Sequence, residues 1–266
     1  MKLKILGTGN AFAEKNYNTC FLIEDEGKYI LVDGGGGNGL FRQLKGVDCN
    51  WQDIHHVVVS HKHIDHILGL IWLVRYIADG MNKGTYEGNL TIYGNDEVIG
   101  LLKDMCAKLL KKKDAMHIDQ RIKFDIIEDR EERNIIGHNI CFFDLHSTKA
   151  KQFGFVMDMG DGEKLTFAGD EPFTEDAYSL VRGSKWLLHE AFCLDSEAEI
   201  FKPYEKNHTT VKDSCKLAES LGIANLILYH TEETHFENHK ELYTLEGSNY
   251  YSGNLFVPDD LEVIDL

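Results

Sequence analysis

The feature that most constrains this chain is a cluster of metal-binding side chains directly after a buried strand. Residues 61–66 read His-Lys-His-Ile-Asp-His, and they follow the β-branched run His-Val-Val-Val-Ser. A run of this kind predicts a strand inside a sheet. Imidazole nitrogens and carboxylate oxygens suit zinc, and also manganese or iron. On an irregular turn, His61 and His63 can converge on one ion. Asp65 and His66 can then face a second.

Three later ligand types each close an apolar strand. His146 ends Cys-Phe-Phe-Asp-Leu-His, Asp170 ends Thr-Phe-Ala-Gly-Asp, and His230 ends Leu-Ile-Leu-Tyr-His. A sheet edge presents side chains to a shared cleft in this way. Because a dinuclear site needs more ligands than the first cluster supplies, we interpret all three residues as metal ligands.

The ordered set Ser-His-Lys-His-Ile-Asp-His, Asp-Leu-His, Phe-Ala-Gly-Asp and Leu-Ile-Leu-Tyr-His resembles the metallo-β-lactamase superfamily, specifically its ribonuclease Z-like branch. The resemblance covers nearly the whole chain. It implies an α/β fold of the metallo-β-lactamase type, a four-layer αββα sandwich. Strand runs interleaved with helices in each half of the sequence agree with two sheets that carry helices outside. With no linker in the sequence, we expect a single domain over residues 1–266.

The resemblance also implies a set of ligands and a residue that supports them. The ligands have imidazole or carboxylate donors: His61, His63 and His146 for one ion, Asp65, His66 and His230 for the other, and Asp170 as a bridge. Asp33, in Leu-Val-Asp-Gly-Gly, matches an aspartate that orients a ligand histidine from behind. We therefore expect two divalent transition-metal ions, zinc first, with manganese or iron as the alternatives.

Two further segments favour one branch of the superfamily. Glu190 lies in Leu-Leu-His-Glu-Ala-Phe, and His208 lies in Lys-Asn-His-Thr-Thr. Alone, they would be a surface glutamate and a loop histidine. Similar segments in the ribonuclease Z-like branch supply a Glu–His pair that handles the leaving-group proton. The resemblance implies a phosphodiesterase in which a metal-bridging hydroxide attacks and His208, oriented by Glu190, donates a proton. Asp65 joins them as a catalytic residue.

Two departures from ribonuclease Z bear on the substrate. His146 and Asp170 are only 24 positions apart, which leaves room for a β-hairpin but not for an inserted tRNA-binding arm. The loop after the first strand keeps Lys15 and Asn18 of a P-x-K-x-R-N-like motif but lacks its proline and arginine. The net charge of −16 also repels phosphate backbones. We expect a small or cyclic phosphodiester or a short RNA as substrate, and weak tRNA binding at most.

Other functions stay open at this point. A tRNA 3′-processing endonuclease would use the same chemistry, and a lactonase or arylsulfatase would use the same metal cage. A redox enzyme agrees less well, because diiron relatives of that kind usually have a glutamate at the position of His63. A non-catalytic binding module agrees less well with the full cage and the intact Glu–His pair. Family resemblance suggests a homodimer.

Composition sets the remaining expectations. No apolar run approaches the roughly 20 residues that span a bilayer. The six cysteines form no C-x-x-C pair, which argues against a disulfide framework. We expect a cytoplasmic protein with no membrane partner.

The residue pattern also predicts individual elements. A helix over residues 211–221 has Thr210 as N-cap, with Asp213 three residues later and Gly222 after its end. Its amino terminus is expected to offer backbone N–H donors to a bound phosphate. The closing segment, Asn-Leu-Phe-Val-Pro-Asp-Asp-Leu-Glu-Val-Ile-Asp-Leu, is expected to form a hairpin.

Overall fold

The computed structural model describes all 266 residues, which form two compact units built from interleaved stretches of the chain. The first unit comprises Met1–Gly7, Tyr17–Glu128 and Asp260–Leu266. The second comprises Thr8–Asn16 and Asp129–Asp259. Neither unit is one continuous segment. The single-domain organisation expected for residues 1–266 stays a prediction.

The chain contains fourteen strands, which fall into two sheets of seven. In chain order they are β1 (Lys2–Gly7), β2 (Cys20–Asp25), β3 (Lys28–Val32), β4 (Ile54–Val59), β5 (Leu90–Gly94), β6 (Ile122–Ile126), β7 (Glu132–Ile135), β8 (His138–Asp144), β9 (Phe153–Gly160), β10 (Glu163–Phe167), β11 (Trp186–Glu190), β12 (Asn225–Tyr229), β13 (Asn254–Phe256) and β14 (Val263–Asp265).

Eight α-helices accompany the sheets, and three of them are single turns. They are α1 (Leu40–Gly46), α2 (Ile64–Lys83), α3 (Asp96–Leu109), α4 (Lys112–Ala115), α5 (Tyr178–Val181), α6 (Ala198–Phe201), α7 (Val211–Leu221) and α8 (His239–Gly247). Pattern analysis of the sequence did not delimit α2, because its first half is nearly continuous apolar sequence without a clear helical period.

Each unit holds one mixed sheet. In the first unit the order is β14-β1-β2-β3-β4-β5-β6, with β3 through β6 parallel. In the second unit the order is β13-β12-β11-β10-β9-β8-β7, with β10 through β13 parallel. Helices α1, α2 and α3 pack on the first sheet, and α7 packs on the second. Parallel strands align their carboxyl ends along one edge, so residues that follow them gather there.

The predicted helix over residues 211–221 is confirmed with its caps. The Thr210 side chain accepts a hydrogen bond from the Asp213 backbone N–H, and the Asp213 carboxylate accepts one from the Thr210 backbone N–H. Gly222 ends the helix in the left-handed conformation, at φ +66°. Reciprocal capping satisfies backbone donors that a helix start otherwise leaves unpaired.

The expected terminal hairpin is wrong. β13 pairs parallel with β12 in the second unit, whereas β14 pairs antiparallel with β1 in the first. Local pattern identified both strands, but strand partners depend on contacts distant in sequence.

As for membranes, none of the helices combines the length and the apolar character that crossing a bilayer requires.

Candidate metal centre

The first unit gathers the predicted cluster at the carboxyl ends of two parallel strands. Asp33 follows β3, and His61 and His63 follow β4, the neighbour of β3 in the sheet. Asp65 and His66 lie in the first turn of α2, where the helix dipole stabilises a carboxylate. The expected irregular turn therefore ends at His63, which is the N-cap residue of the helix.

A single buried carboxylate organises this cluster. Asp33 is 1% exposed, and its Oδ1 accepts a hydrogen bond of 2.8 Å from the Ser60 backbone N–H. Its Oδ2 accepts one of 2.7 Å from the Ser60 hydroxyl and lies 2.7 Å from His66 Nδ1. Because Nδ1 of His66 then carries the proton, its Nε2 keeps the lone pair that a metal ligand needs.

Ser60 fixes the tautomer of His61 in the same way. Its hydroxyl donates to Asp33 and so accepts at 3.0 Å from His61 Nδ1, which leaves His61 Nε2 as the lone-pair nitrogen. That Nε2 lies 2.7 Å from His63 Nδ1. Ser60 was not predicted as a site residue, although its position directly before the cluster was the signal that could have found it.

The start of α2 is held against the chain that follows β3 by a glycine. A Cβ at Gly69 would lie 1.8 Å from the carbonyl oxygen of Gly34, so no other residue fits there without a backbone shift. Backbone hydrogen bonds from Gly34 N to His66 O and from Gly69 N to Gly35 O complete the contact. The first turn of α2, which carries two candidate ligands, is thereby fixed relative to Asp33.

The second unit places four predicted residues at one edge of its own sheet. Asp170 follows β10, Glu190 ends β11 and His230 follows β12, and these three strands are parallel neighbours. One ligand atom each from Glu190, His208 and His230 lie within 4.8 Å of one another. His230 Nε2 lies 3.4 Å from Asp170 Oδ2. The structure therefore brings these four residues of the second unit together.

Neighbouring side chains fix Asp170 in its loop. The buried Gln152 amide donates to Asp170 Oδ1, and the Tyr229 hydroxyl donates to the backbone carbonyl of Gly169. Gly169 has φ +67°, and a Cβ there would meet the Gln152 amide nitrogen at 2.6 Å. Gln152 was not predicted as a site residue, because a glutamine between two strands carries no recognisable spacing.

Glu190 is a buried network residue and not a surface glutamate. It is 0% exposed, and its Oε1 accepts hydrogen bonds from the Thr209 backbone N–H at 2.5 Å and from the Thr209 hydroxyl at 2.9 Å. Its Oε2 lies 3.6 Å from His208 Nδ1. The predicted Glu–His pair is thus present as an ion-pair contact, with Thr209 holding the carboxylate in place.

His208 is fixed on both sides. Its Nδ1 donates a hydrogen bond of 2.9 Å to the backbone carbonyl of Asp170, and its ring stacks on Phe192 with centroids 5.0 Å apart. Burial lowers the pKa of His208, but the carboxylates of Glu190 and Asp170 outweigh burial and raise the pKa above its ordinary value. The protonated form of this imidazole is therefore more stable here than in a free histidine.

His146 differs from the other candidates of the second unit. It follows β8 by two residues, its side chain is 48% exposed, and its nearest charged partners are Asp144 at 3.9 Å and Asp176 at 3.7 Å. The structure does not place it in the group with Glu190 and His230. Its role as a ligand stays a prediction.

The donor geometry within each unit fits a metal ion. Zinc–nitrogen bonds of about 2.0–2.1 Å in a tetrahedron place ligand atoms about 3.3 Å apart. His66 Nε2 lies 3.3 Å from Asp65 Oδ2, and His230 Nε2 lies 3.4 Å from Asp170 Oδ2.

Asp33, His146 and His230 also share a left-handed backbone conformation, with φ of +58°, +58° and +59°. Such conformations cost energy in non-glycine residues and cluster at functional sites.

A family model described as "Anti-Pycsar protein Apyc1" matches residues 1–246 of the chain. The chain belongs to the anti-Pycsar protein Apyc1 family. The match spans every candidate residue of both units. It ends inside α8, so β13 and β14 lie beyond it.

Full-length relatives of this Apyc1-family chain carry the name ribonuclease Z. The ribonuclease Z of Pyrococcus abyssi is 24% identical over an alignment that covers 97% of this chain and 94% of the relative. That alignment has 313 positions, whereas 97% of this chain is about 258 residues, so about 55 positions of the relative face a gap. The archaeal protein is therefore larger by insertions.

Solved structures show the same fold. The metallo-β-lactamase fold protein YhfI from Bacillus subtilis superposes with a TM-score of 0.80 at 19% identity, and covers 99% of this chain and 98% of its own. Human tRNase Z, short form, superposes with a TM-score of 0.75 at 19% identity, and covers 100% and 99%. These likenesses confirm the predicted αββα sandwich of the metallo-β-lactamase type.

The comparisons also confirm the predicted resemblance and enzyme class. This Apyc1-family chain is ribonuclease Z-like and is a metal-dependent hydrolase. Its histidine and aspartate groups agree with divalent-metal binding. The roles of the individual site residues stay predictions.

The Asp33 network allows a direct test of metal affinity. Asp33→Asn keeps the shape of the side chain but removes the charge that fixes the tautomers of His61 and His66. We expect metal affinity to fall about 10- to 100-fold, the usual cost of losing a partner behind the ligands. Competition with a chromogenic chelator measures it. Asp53→Asn, an exposed position of the same unit, is the matched control and should bind metal like the wild type. Unchanged affinity in Asp33→Asn would refute the role assigned to this carboxylate.

Proposed function

We propose that this hydrolase is a phosphodiesterase for small or cyclic phosphodiesters or short RNA, with two transition-metal ions and a Glu190–His208 proton-donor pair. The observation that carries the proposal is the buried contact between Glu190 and His208 beside His230 in the second unit. Glu190 and His208 are not among the ligands that the family resemblance implies, and the raised pKa of this buried imidazole suits a group that gives a proton to a leaving oxygen.

The proposed ligands are those implied by the family resemblance. They are His61, His63 and His146 for one ion, Asp65, His66 and His230 for the other, and Asp170 between them. Bound metal would supply a water of lowered pKa and would neutralise phosphoryl oxygens. Mixed imidazole and carboxylate donors favour zinc first, then manganese or iron.

The chain's own groups would manage the leaving-group proton. Because His208 donates from Nδ1 to the Asp170 carbonyl, its Nε2 is the nitrogen that would give a proton to the departing oxygen. The Glu190 carboxylate stabilises the imidazolium before transfer, and Thr209 keeps that carboxylate from rotating. Asp65 is proposed both as a ligand and as an acceptor that orients the attacking water.

The start of α7 does not supply the phosphate donors expected from the sequence. The Val211 N–H donates to the Cys193 carbonyl at 3.0 Å, the Lys212 N–H is bonded to Glu246, and the Asp213 N–H donates to the Thr210 side chain. All three first-turn donors are occupied, so that expectation is wrong. Phosphate charge would therefore be balanced by metal and by His208.

The short segment between His146 and Asp170 supports the proposal of a small substrate. Between His146 and Asp170 the chain forms only a short loop and the antiparallel hairpin of β9 and β10, which turns at Asp161. The second candidate, a tRNA 3′-processing endonuclease, is favoured by relatives named ribonuclease Z that align over almost the full chain.

A substrate panel separates these candidates. Metal-loaded protein should cleave bis-p-nitrophenyl phosphate and cyclic nucleotides well, and should bind precursor tRNA weakly, with affinity that collapses as salt rises. The reason is that a chain of net charge −16 can neutralise few phosphates. A tight, salt-tolerant complex with precursor tRNA, cleaved after the discriminator base, would restore the endonuclease. Turnover of a lactone or sulfate ester alone would point to a lactonase or an arylsulfatase.

His208→Ala tests the proton donor. A nitrophenolate departs unaided, whereas a nucleoside alkoxide needs a proton in the transition state. We expect the variant to lose little activity on bis-p-nitrophenyl phosphate and about 10²–10⁴-fold in kcat on a dinucleotide. Glu190→Gln should act in the same direction more gently, and the losses should not add.

Metal content must be equal in all variants of this series. Equal losses of kcat on both substrates would assign His208 to phosphate binding instead. No loss on either substrate would remove both residues from the mechanism.

A further inference from the structure

Three loops of the second unit meet at one buried carboxylate that the mechanism above does not use. The Glu171 side chain is 2% exposed. Its Oε1 lies 3.1 Å from Lys149 Nζ, and its Oε2 accepts a hydrogen bond of 2.6 Å from Asn207 Nδ2. Lys149 belongs to the loop between β8 and β9, and Asn207 directly precedes His208. Glu171 thereby joins segments that are far apart in sequence.

Lys149 strengthens the same connection. Its ammonium group also donates a hydrogen bond to the backbone carbonyl of Lys206. The segment before His208 is therefore held twice, once through the Asn207 side chain and once through the Lys206 backbone. Glu171 contacts both groups that hold the segment, since it pairs the Lys149 ammonium and accepts from the Asn207 amide.

The backbone of this segment requires such a hold. Asn207 has φ +53°, in the left-handed region that asparagine tolerates better than most residues. A single turn of 3₁₀ helix over Tyr204–Lys206 leads into it, and short 3₁₀ turns add little stability of their own. The side chain of His208 is anchored at Asp170 and Phe192, and the Thr209 backbone N–H that follows is bonded to Glu190. On the other side of His208, its own N–H donates to the Pro203 carbonyl at 2.9 Å, a bond that lies within the segment and does not tie the segment to the loop of Asp170.

We infer that Glu171 is a positioning residue for the reaction, which acts through Lys149 and Asn207 to hold His208 where it can reach the leaving oxygen. The inference rests on the proposed function in that His208 is the proton donor. Glu171 contacts neither substrate nor reacting atoms. Glu171 follows Asp170 directly. The side chain that would bridge the ions and the side chain that positions His208 therefore belong to the same loop.

Two variants separate the contact of Glu171 with Lys149 from its contact with Asn207. Glu171→Gln keeps an amide oxygen for Asn207 but removes the charge that pairs Lys149. Asn207→Gly removes the hydrogen bond from the Asn207 side chain to Glu171 while still permitting a positive φ at this position. Glu205→Gln is the matched control, because Glu205 lies in the same segment and its side chain is 70% exposed.

The kinetic readout is the ratio of kcat for a dinucleotide to kcat for bis-p-nitrophenyl phosphate. We expect both variants to lose about 10- to 100-fold in kcat on the dinucleotide, as a small misplacement of a catalytic group does. Activity on the nitrophenyl diester should stay within about twofold, and the control should match the wild type in both assays. Equal losses on both substrates at unchanged metal content, or no loss on either, would overturn the inference.

Hydrogen–deuterium exchange of peptides that cover residues 203–210 gives a readout that does not depend on turnover. Faster exchange in Glu171→Gln and Asn207→Gly than in the control supports the hold on this segment, and wild-type exchange in both variants overturns it. If the wild type cleaved neither diester, the proposed function would fail. The exchange result would still decide whether Glu171 fixes the segment before His208.

Discussion

The hydrogen bonds of Asp33 are the constraint on which the first half of the candidate centre depends. One buried carboxylate holds Ser60 and His66 directly and His61 through Ser60. Both imidazoles must then present Nε2 as the lone-pair nitrogen. A buried charge is costly unless it is fully hydrogen-bonded, so the residues around Asp33 have little freedom to rearrange. The Asp33 network therefore fixes which nitrogen of each imidazole is available to a metal ion.

The second unit repeats this principle with different residues. Glu190 is held by Thr209 and in turn faces His208, and Gln152 holds Asp170. In each case a side chain that would do chemistry is fixed by a buried neighbour with no direct role in it. The parallel strands β10, β11 and β12 make this possible, because they deliver their following residues to one edge.

Sequence alone identified most of the candidate site because metal ligands have distinctive chemistry and spacing. His61 through His66 form a motif, and Thr210 with Asp213 forms a capping box, so both could be found locally. Ser60, Gln152 and Glu171 could not, because a serine, glutamine or glutamate becomes informative only when folding places it behind a ligand. The separate partners of β13 and β14 and the occupied donors of α7 escaped prediction for the same reason: both depend on contacts remote in sequence. The dimer, the cytoplasmic location and the metal identity stay predictions.

The central proposal, which rests on the family resemblance, is that the chain binds two metal ions and that Asp170 is shared between them. Elemental analysis of purified protein measures this most directly. Close to two transition-metal ions per chain in the wild type, with a loss at both sites in Asp170→Ala, is the expected result. One ion per chain in the wild type, with the same content in Asp170→Ala, would contradict the dinuclear centre.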